Sequence, residues 1–372
     1  MVKPLDIWGV GGNWAQGMST ANRLTALTMA QEMGCTWIRD AASWLDMTDA
    51  TKLAKTVECK AQCDSLGLRY YLALVMNAPD SVAGGGGEGY PTDENDWYSY
   101  LASFLSFYVD FCDTVAPYAI ALSAETFGPQ HWLPDNDVTK KTLANTASSY
   151  WALWKATKAV TPAGIMLVAT HGDGDIGYLS GGLTALKALG FTAPAVAPYD
   201  YRLSMAAPHE DPPYHWGYPE NDDVGDVYGA VNENIAHYQA LMRTPVIISE
   251  TGWHIGGTRQ DGLAVIDETS QASLLCRSVV LATMAMPMAF CIHTIVDGPG
   301  TTAGILNDDY TARTAYTVLK ALLGDLQRGC KTSLALNGTT YTALTGHGTA
   351  QWDIATDAFT YTDLYGNVLV NI

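Results

Sequence analysis

Two glutamates stand where apolar runs of the sequence end. Glu125 follows the run in "ALSAETFGP", and Glu250 closes the run in "PVIISETGW". Each is followed by an aromatic or glycine-containing segment that makes a poor helix start, so helix capping does not explain the two together. Two carboxyl groups can act as a proton donor and an ionised nucleophile when their environments move their pKa values apart. Glu125 and Glu250 are therefore candidates for such a pair.

The neighbourhood of each glutamate indicates which role it would take. Arg39 and Tyr199 are candidate neighbours of Glu250 that favour its charged form. The stretch around Glu125 favours the neutral form, because it is apolar and aromatic at Ala124, Phe127 and Trp132. In glycosidases, carboxyl groups about 5 to 5.5 Å apart give retention of configuration, and a wider separation gives inversion. We expect Glu125 to be an acid/base and Glu250 a nucleophile.

The elements that would position these residues repeat eight times between Leu5 and about Leu323. Short apolar runs alternate with segments of helical period. The runs are "LDIWGV", "CTWIRD", "RYYLALVMN", "AIALSAE", "IMLVATH", "APAVAPYD", "PVIISE" and "AFCIHTIVD". The helical segments are predicted at 20–33, 50–66, 94–113, 138–159, 178–189, 229–242, 268–285 and 311–323. Parallel strands buried on both faces give continuous apolar runs, so the pattern predicts a (β/α)8 TIM barrel over residues 1–325.

The pattern changes after Gly324. The segments "TSLALNG", "TYTALTG", "QWDIATD", "FTYTDLYG" and "NVLVNI" alternate with period two and are separated by glycine and Asn-Gly turns. They are too short in total for a large core of their own. We expect residues 326–372 to form a small antiparallel β-sheet domain packed on the barrel.

In such a barrel the chemistry lies at the carboxyl ends of the strands. Polar or ionisable residues end the predicted strands at Asn13, Arg39, Asp40, Asn77, Glu125, His171, Tyr199, Asp200, Glu250, His293 and Asp297. Any strand that becomes a loop gains polar residues, which is the alternative explanation for each single position. Around the two glutamates we predict that the following residues bind substrate or support catalysis: Arg39, Asn77, His171, Tyr199 and His293.

Tryptophans could supply stacking surfaces for sugar rings. Four of them follow strand ends and are equally consistent with a place in the core: Trp14, Trp44, Trp132 and Trp253. Trp216 lies in an aromatic loop of 25 residues after the sixth predicted strand, and loops of that length are usually functional. The alternative, a metal site at His209, Glu210, Asp211 and His215, lacks a recognised ligand spacing.

Several segments resemble the clan A retaining (β/α)8 glycoside hydrolases. "PVIISETGW" is similar to the clan's seventh strand, "GCTWIRDAASW" to its second strand, and "GILNDDYTARTAYTVLKALL" to its closing segment. The resemblance implies that Glu250 is the nucleophile, Arg39 its supporting arginine and Glu125 the acid/base on the fourth strand. The β-sheet tail resembles that of family 39 and related members, and the barrel is also family-5-like.

The sequence departs from the clan pattern at three strands. Ala124 replaces the asparagine that usually precedes the acid/base and binds the sugar 2-hydroxyl, and Ala197 replaces a histidine that commonly precedes the sixth-strand tyrosine. The eighth strand has "CIHTIVD" where an aromatic platform is frequent. Two hypotheses follow: a retaining glycoside hydrolase acting on an oligo- or polysaccharide, or a catalytically weak or inactive barrel that serves as a carbohydrate-binding or particle-associated structural protein.

Charge and composition exclude other classes of function. The formal net charge of −18 disfavours nucleic acid and anionic membranes as partners. "GVGGNWAQG" fits a dinucleotide-binding turn poorly, and no lysine ends a predicted strand, as a Schiff-base aldolase would require. No metal or organic cofactor is needed. The start "MVKPLDIWGVGG" lacks a classical export signal, so we expect a cytoplasmic or virus-particle location, with the seven cysteines reduced and buried.

Overall fold

The computed structural model describes residues 6–82, 85–87, 89–122, 132–171, 176–198, 219–220, 231–256, 266–297, 302–326 and 333–372. Three of the predicted site residues lie outside these ranges: Glu125, Tyr199 and Trp216. The 25-residue loop with the alternative metal ligands lies outside them as well, apart from its residues 219 and 220.

Eight parallel strands form the main sheet. The strands of the first 326 residues are β1 (Trp8–Gly11), β2 (Trp37–Ser43), β3 (Arg69–Val75), β4 (Gly89–Tyr90), β5 (Ala119–Leu122), β6 (Leu133–Pro134), β7 (Met166–His171), β8 (Val196–Pro198), β9 (Ile247–Thr251) and β10 (Ala289–Ile292). Their order in the sheet is β8-β7-β5-β3-β2-β1-β10-β9, and β4 pairs separately with β6. The Val196 amide donates to the Pro245 carbonyl at 3.0 Å, which joins β8 to the start of β9. The sheet thus closes on itself, and the predicted barrel is confirmed.

Helices follow the strands as predicted. They are α1 (Trp14–Gly17), α2 (Thr20–Met33), α3 (Trp44–Met47), α4 (Ala50–Ser65), α5 (Glu94–Val115), α6 (Leu143–Val160), α7 (Ile176–Ala188), α8 (Val231–Met242), α9 (Glu268–Ala285) and α10 (Thr314–Leu326). The prediction for α6 began too early: Asp137 accepts from the Thr139 amide at 2.9 Å at a short 3-10 turn. The helix itself begins after Thr142, whose hydroxyl accepts from the Asn145 amide at 3.2 Å. Within the described ranges no helix has the length and apolar character needed to cross a membrane.

The barrel interior combines small and large side chains. Trp37 and Tyr71 lie there together with four alanines, at Ala119, Ala121, Ala195 and Ala289. A Cβ on Gly9 would lie 2.7 Å from the Cys291 Sγ and 2.9 Å from the Trp37 Cβ, so only glycine leaves room for them. Six of the seven cysteines are described, and all six are buried and free, as expected.

The C-terminal sheet has five antiparallel strands in sequential order: β11 (Ser333–Asn337), β12 (Thr340–Thr345), β13 (Gly348–Asp353), β14 (Phe359–Asp363) and β15 (Val368–Asn371). This matches the predicted appendage, and the predicted division at residues 325 and 326 falls at the end of α10. The sheet packs on the barrel through buried polar contacts. One of them is the hydrogen bond that the Tyr361 hydroxyl donates to Asp325 in α10.

A fully buried arginine joins three parts of the chain. Arg277 of α9 donates from Nε and Nη2 to the two carboxylate oxygens of Glu220, at 2.6 and 2.5 Å. Its Nη1 donates to Asp357 at 2.9 Å, in the turn between β13 and β14. Glu220 belongs to the connection between β8 and α8. Arg277 therefore links the barrel wall, the C-terminal sheet and the connection that follows the sixth barrel strand.

Replacing Arg277 with methionine should destabilise the protein strongly. The substitution leaves two carboxylates buried without their cation, and breaking a buried ion pair in this way costs about 3–5 kcal/mol. Urea denaturation measures the change in the free energy of unfolding. Lys320→Met is the matched control, since it removes an exposed pair with Glu32 at 2.7 Å and should change stability far less. Equal effects of the two substitutions would contradict the assigned role of Arg277.

Candidate functional site

Glu250 lies on β9 at an irregularity of the strand. Ile248 lies opposite Phe290 and Thr251 lies opposite Ile292, so Ser249 and Glu250 share the single partner Cys291 on β10. An extra residue of this kind is a β-bulge, which redirects side chains and is frequent next to active sites. It lets two consecutive residues, Ser249 and Glu250, both approach the barrel interior at the carboxyl end of the seventh barrel strand.

Arg39 reaches Glu250 from the second barrel strand. It stands two residues after Trp37 on β2, so its side chain points to the same interior side. Its Nη1 lies 2.5 Å from the Glu250 Oε1, and the two side chains are 7% and 17% exposed. A charge-assisted bond at this distance is strong and directional. The structure thus brings together the two residues that the sequence predicted as neighbours.

His293 lies beside this ion pair, directly after β10. Its Nδ1 is 4.0 Å from the Glu250 Oε2, and the side chain is 25% exposed, so part of the ring reaches solvent. Burial lowers the pKa of His293; the Glu250 carboxylate opposes this shift and the Arg39 charge adds to it. The imidazole is therefore neutral at pH 7, and it can donate or accept a hydrogen bond without adding a charge.

Gly11 and Gly252 both lie against groups of the site, and Gly252 is the one that a close approach requires. A Cβ on Gly11 would touch the His293 Nδ1 at 3.6 Å and the Arg39 Cδ at 3.8 Å. At Gly252 a Cβ would lie 1.8 Å from the His293 carbonyl oxygen, which is impossible without a backbone shift. The His293 amide also donates to the Thr251 carbonyl at 2.6 Å. The glycine of "SETGW" is therefore required by the contact between β9 and the end of β10.

Cys291 is a further ionisable group in this part of the interior. Burial raises the pKa of its thiol to about 12; Arg39 opposes the shift and Glu250 adds to it. The thiol is therefore protonated at neutral pH and is no nucleophile. Among the residues that the structure describes, no three His, Cys, Asp or Glu side chains are grouped so as to hold a metal ion.

Two residues near the pair were not singled out as site residues from the sequence. Tyr71 looked like core because it lies within the apolar run of β3. His254 follows Trp253 in "SETGWH"; burial lowers its pKa, the neighbouring His293 adds to the shift and Asp297 opposes it. Its position four residues after Glu250 was the available signal. No comparable signal marked Tyr71. Its place opposite Arg39 depends on the register between β2 and β3, which cannot be derived from either strand alone.

Two of the polar residues at predicted strand ends have structural roles instead. Asp40 is buried and accepts from the amides of Trp14 and Ala15, both at 3.0 Å, and from the Tyr70 hydroxyl at 2.8 Å, so it anchors α1. Asp297 binds Arg313 through two bonds, at 2.5 and 3.1 Å, and fixes the segment after β10.

The other predicted site residues lie at the expected strand ends. Asn77 is half-buried in the loop after β3, where its carbonyl accepts from the Leu45 amide at 2.8 Å. His171 is the last residue of β7.

The four tryptophans at strand ends belong to the core. Trp14, Trp44, Trp132 and Trp253 are each at most 2% exposed, so none presents a ring face for stacking on a sugar. Trp44 packs on α5, with its ring centroid 5.7 Å from that of Phe107, and Trp132 stacks on Tyr90 at 4.8 Å. The Trp14 indole donates to the Arg39 carbonyl at 3.0 Å, so it supports the backbone of β2. Of the two explanations that the sequence left open for these residues, packing is the one that the structure supports.

Known structures share this architecture. A family 39 glycoside hydrolase from the gut symbiont Bacteroides cellulosilyticus WH2 superposes with a TM-score of 0.66 at 16% identity, over 96% of this chain and 72% of that one. The chain has the barrel fold of the clan A glycoside hydrolases. A family 53 catalytic domain from Ignisphaera aggregans matches with a TM-score of 0.55 at 13% identity, over 87% of this chain and 98% of its own. A family 1 β-glucosidase from Exiguobacterium antarcticum B7 matches with a TM-score of 0.54 at 10% identity, over 86% of this chain and 98% of its own.

No protein-family model and no curated protein matches the sequence. At these identities the likeness concerns the fold, and the assignment of roles rests on the site's own geometry. Within the clan A fold, Arg39 lies on the second barrel strand and Glu250 is the penultimate residue of the seventh.

Substituting Gly252 with alanine should unfold or displace the site. The new Cβ meets a backbone oxygen rather than a flexible side chain, so we expect a loss of at least about 1–3 kcal/mol in the free energy of unfolding. Gly324→Ala in α10 is the matched control, because a Cβ there meets nothing within 4 Å. The control should gain about 0.5–1 kcal/mol from helix propensity. If Gly252→Ala were as stable as wild type, the close contact with His293 would be wrong.

His293 should titrate below its ordinary pKa of 6.5. The unfolded chain then binds the proton more readily, so the stability contributed by neutral His293 is present above pH 6.5 and is lost as the pH falls through the folded pKa. NMR titration of the imidazole carbons, assigned with His293→Gln, measures the midpoint. A midpoint at or above 6.5 would mean that Glu250 outweighs burial at this position.

Proposed function

We propose that the protein is a retaining glycoside hydrolase with Glu250 as nucleophile and Glu125 as acid/base. The observation that carries the proposal is the buried ion pair of Glu250 with Arg39, at the carboxyl end of the seventh strand of a glycoside hydrolase barrel. Catalytic groups of such barrels lie at this end of the strands. A buried, oriented carboxylate that is still 17% exposed suits attack on a bound sugar.

The geometry supports a specific role for each oxygen of Glu250. Arg39 binds Oε1, so Oε2 would attack the anomeric carbon and form the glycosyl ester. The bond from that carbon to the leaving oxygen breaks, and Glu125 gives its proton to this oxygen. Glu125 then takes a proton from water, the water oxygen attacks the anomeric carbon, and Glu250 leaves as a carboxylate.

The substrate in this proposal is a neutral oligo- or polysaccharide. The net charge of −18 disfavours anionic sugars at long range. Neutral His293 lies beside Glu250 with its side chain 25% exposed and would hydrogen-bond a sugar hydroxyl, in place of the aromatic platform frequent at the eighth strand. Residues at the other strand ends would complete the site: Asn77, His171 and Tyr199, with Trp216 as the stacking ring. No metal or organic cofactor takes part in these steps.

A panel of aryl glycosides tests the proposal. Wild type should release the aryl alcohol from at least one sugar, and Glu250→Gln should show no measurable turnover because the ester cannot form. Glu125→Gln should lower kcat by about 10²–10⁴-fold on substrates whose leaving group needs a proton. Proton NMR of the first product should show the same anomeric configuration as the substrate, and an inverted product would rule out the retaining mechanism.

The competing function is a barrel that binds carbohydrate without turnover. It is favoured by Ala124 and Ala197, which remove two side chains that would contact the sugar in a retaining enzyme. Wild type and Glu250→Gln would then be equally inactive over the whole panel. Calorimetric titration with the same saccharides separates this outcome from a misfolded preparation, because both proteins would still bind.

A further inference from the structure

Tyr71 lies next to the Arg39–Glu250 pair inside the barrel. It is on β3, directly opposite Arg39 in the register between β2 and β3, and it is fully buried. Trp37 and Cys291 belong to the same interior cluster. Most of this interior is filled by alanine and other apolar side chains, so a phenol hydroxyl here carries a desolvation cost that an apolar ring would avoid.

The charges around Tyr71 connect its hydroxyl to the ion pair. Burial raises the pKa of Tyr71 above its ordinary value; Arg39 and the Ser249 hydroxyl oppose the shift, whereas Cys291 and Glu250 add to it. The phenol is therefore neutral, with its oxygen near the guanidinium and near Ser249. Neither the Tyr71 nor the Ser249 hydroxyl makes a hydrogen bond of standard geometry within the described chain. Both are fully buried, at the position where the bulge places Ser249 beside Glu250.

We propose that Tyr71 and Ser249 are positioning residues that hold the Arg39 guanidinium against Oε1 of Glu250, a proposal that rests on the retaining mechanism proposed above. The phenol oxygen would accept from the guanidinium and from the Ser249 hydroxyl. Arg39 has a long, flexible side chain, and contact with a buried, rigid phenol would help to fix the plane of its guanidinium. Oε2 of Glu250 would then stay oriented toward the anomeric carbon.

A packing role alone makes a different prediction. Phenylalanine keeps the ring of Tyr71 and loses only the hydroxyl, so packing predicts no change in kcat or in the pH profile for Tyr71→Phe. Positioning predicts a lower kcat with little change in KM, because the sugar still binds while the nucleophile is less well oriented. A hydrogen bond to a charged group contributes about 1.5–3 kcal/mol, which corresponds to roughly ten- to hundredfold in kcat.

The experiment compares Tyr71→Phe and Ser249→Ala with Tyr100→Phe. Tyr100 is a matched control, since it is also fully buried and its hydroxyl has no hydrogen-bond partner in the described chain, but it lies on α5 outside the barrel. We expect the two site variants to lower kcat at least about tenfold and to shift the acidic limb of the pH profile. The control should match wild type in both.

A crystal structure of Tyr71→Phe gives a readout that needs no turnover. The distance between the Arg39 Nη1 and the Glu250 Oε1, 2.5 Å in the native chain, should lengthen or become variable. If wild type proves inactive, the proposed hydrolase fails, while this distance still tests the positioning role. Unchanged geometry, together with kinetics that equal those of Tyr100→Phe where turnover is measurable, would overturn the proposal.

Discussion

The buried ion pair between Arg39 and Glu250 constrains the whole barrel interior. Its partners come from β2 and β9, which are separated in the sheet by β1 and β10. Neighbouring strands lie about 4.8 Å apart, so the path around the wall is about 14 Å, and the side chains must meet across the interior instead. β1 contributes glycine at positions 9 and 11. A Cβ on Gly9 would lie 2.7 Å from the Cys291 Sγ and 2.9 Å from the Trp37 Cβ, so a side chain there would crowd the interior beside the pair.

Bringing two charges into this interior costs free energy of desolvation, and the pair offsets it only when its geometry is good. Three local features provide that geometry. The bulge on β9 turns Glu250 toward Arg39, Gly252 lets β9 approach the end of β10, and the Trp14 indole holds the Arg39 carbonyl. The remaining opening leaves the Glu250 side chain 17% exposed, so the same arrangement that satisfies the charge does not seal the carboxylate off from solvent.

The fold could be predicted closely from the sequence, and the site only in part. Eight apolar runs that alternate with eight segments of helical period predict a barrel. Each run and each period depends only on the residues of its own segment, so it can be identified from the sequence alone. Arg39 and Glu250 were predicted as neighbours because strand ends converge in this fold. Tyr71 was missed, since its role depends on the register between two strands and on the bulge at Ser249. The four strand-end tryptophans were equally consistent with sugar stacking and with core packing, and their burial depends on how the segments after the strands pack back on the barrel.

The C-terminal sheet is tied through Arg277 to the connection between β8 and α8. Asp357 from the sheet and Glu220 from the β8–α8 connection share this one guanidinium, so removing the sheet would leave Glu220 and Arg277 to rearrange. The connection carries Tyr199 and Trp216, which are the residues proposed to complete the sugar site. An appendage too small for a large core of its own thus has a physical reason to remain attached. It supplies the second carboxylate that binds a fully buried arginine of the barrel wall.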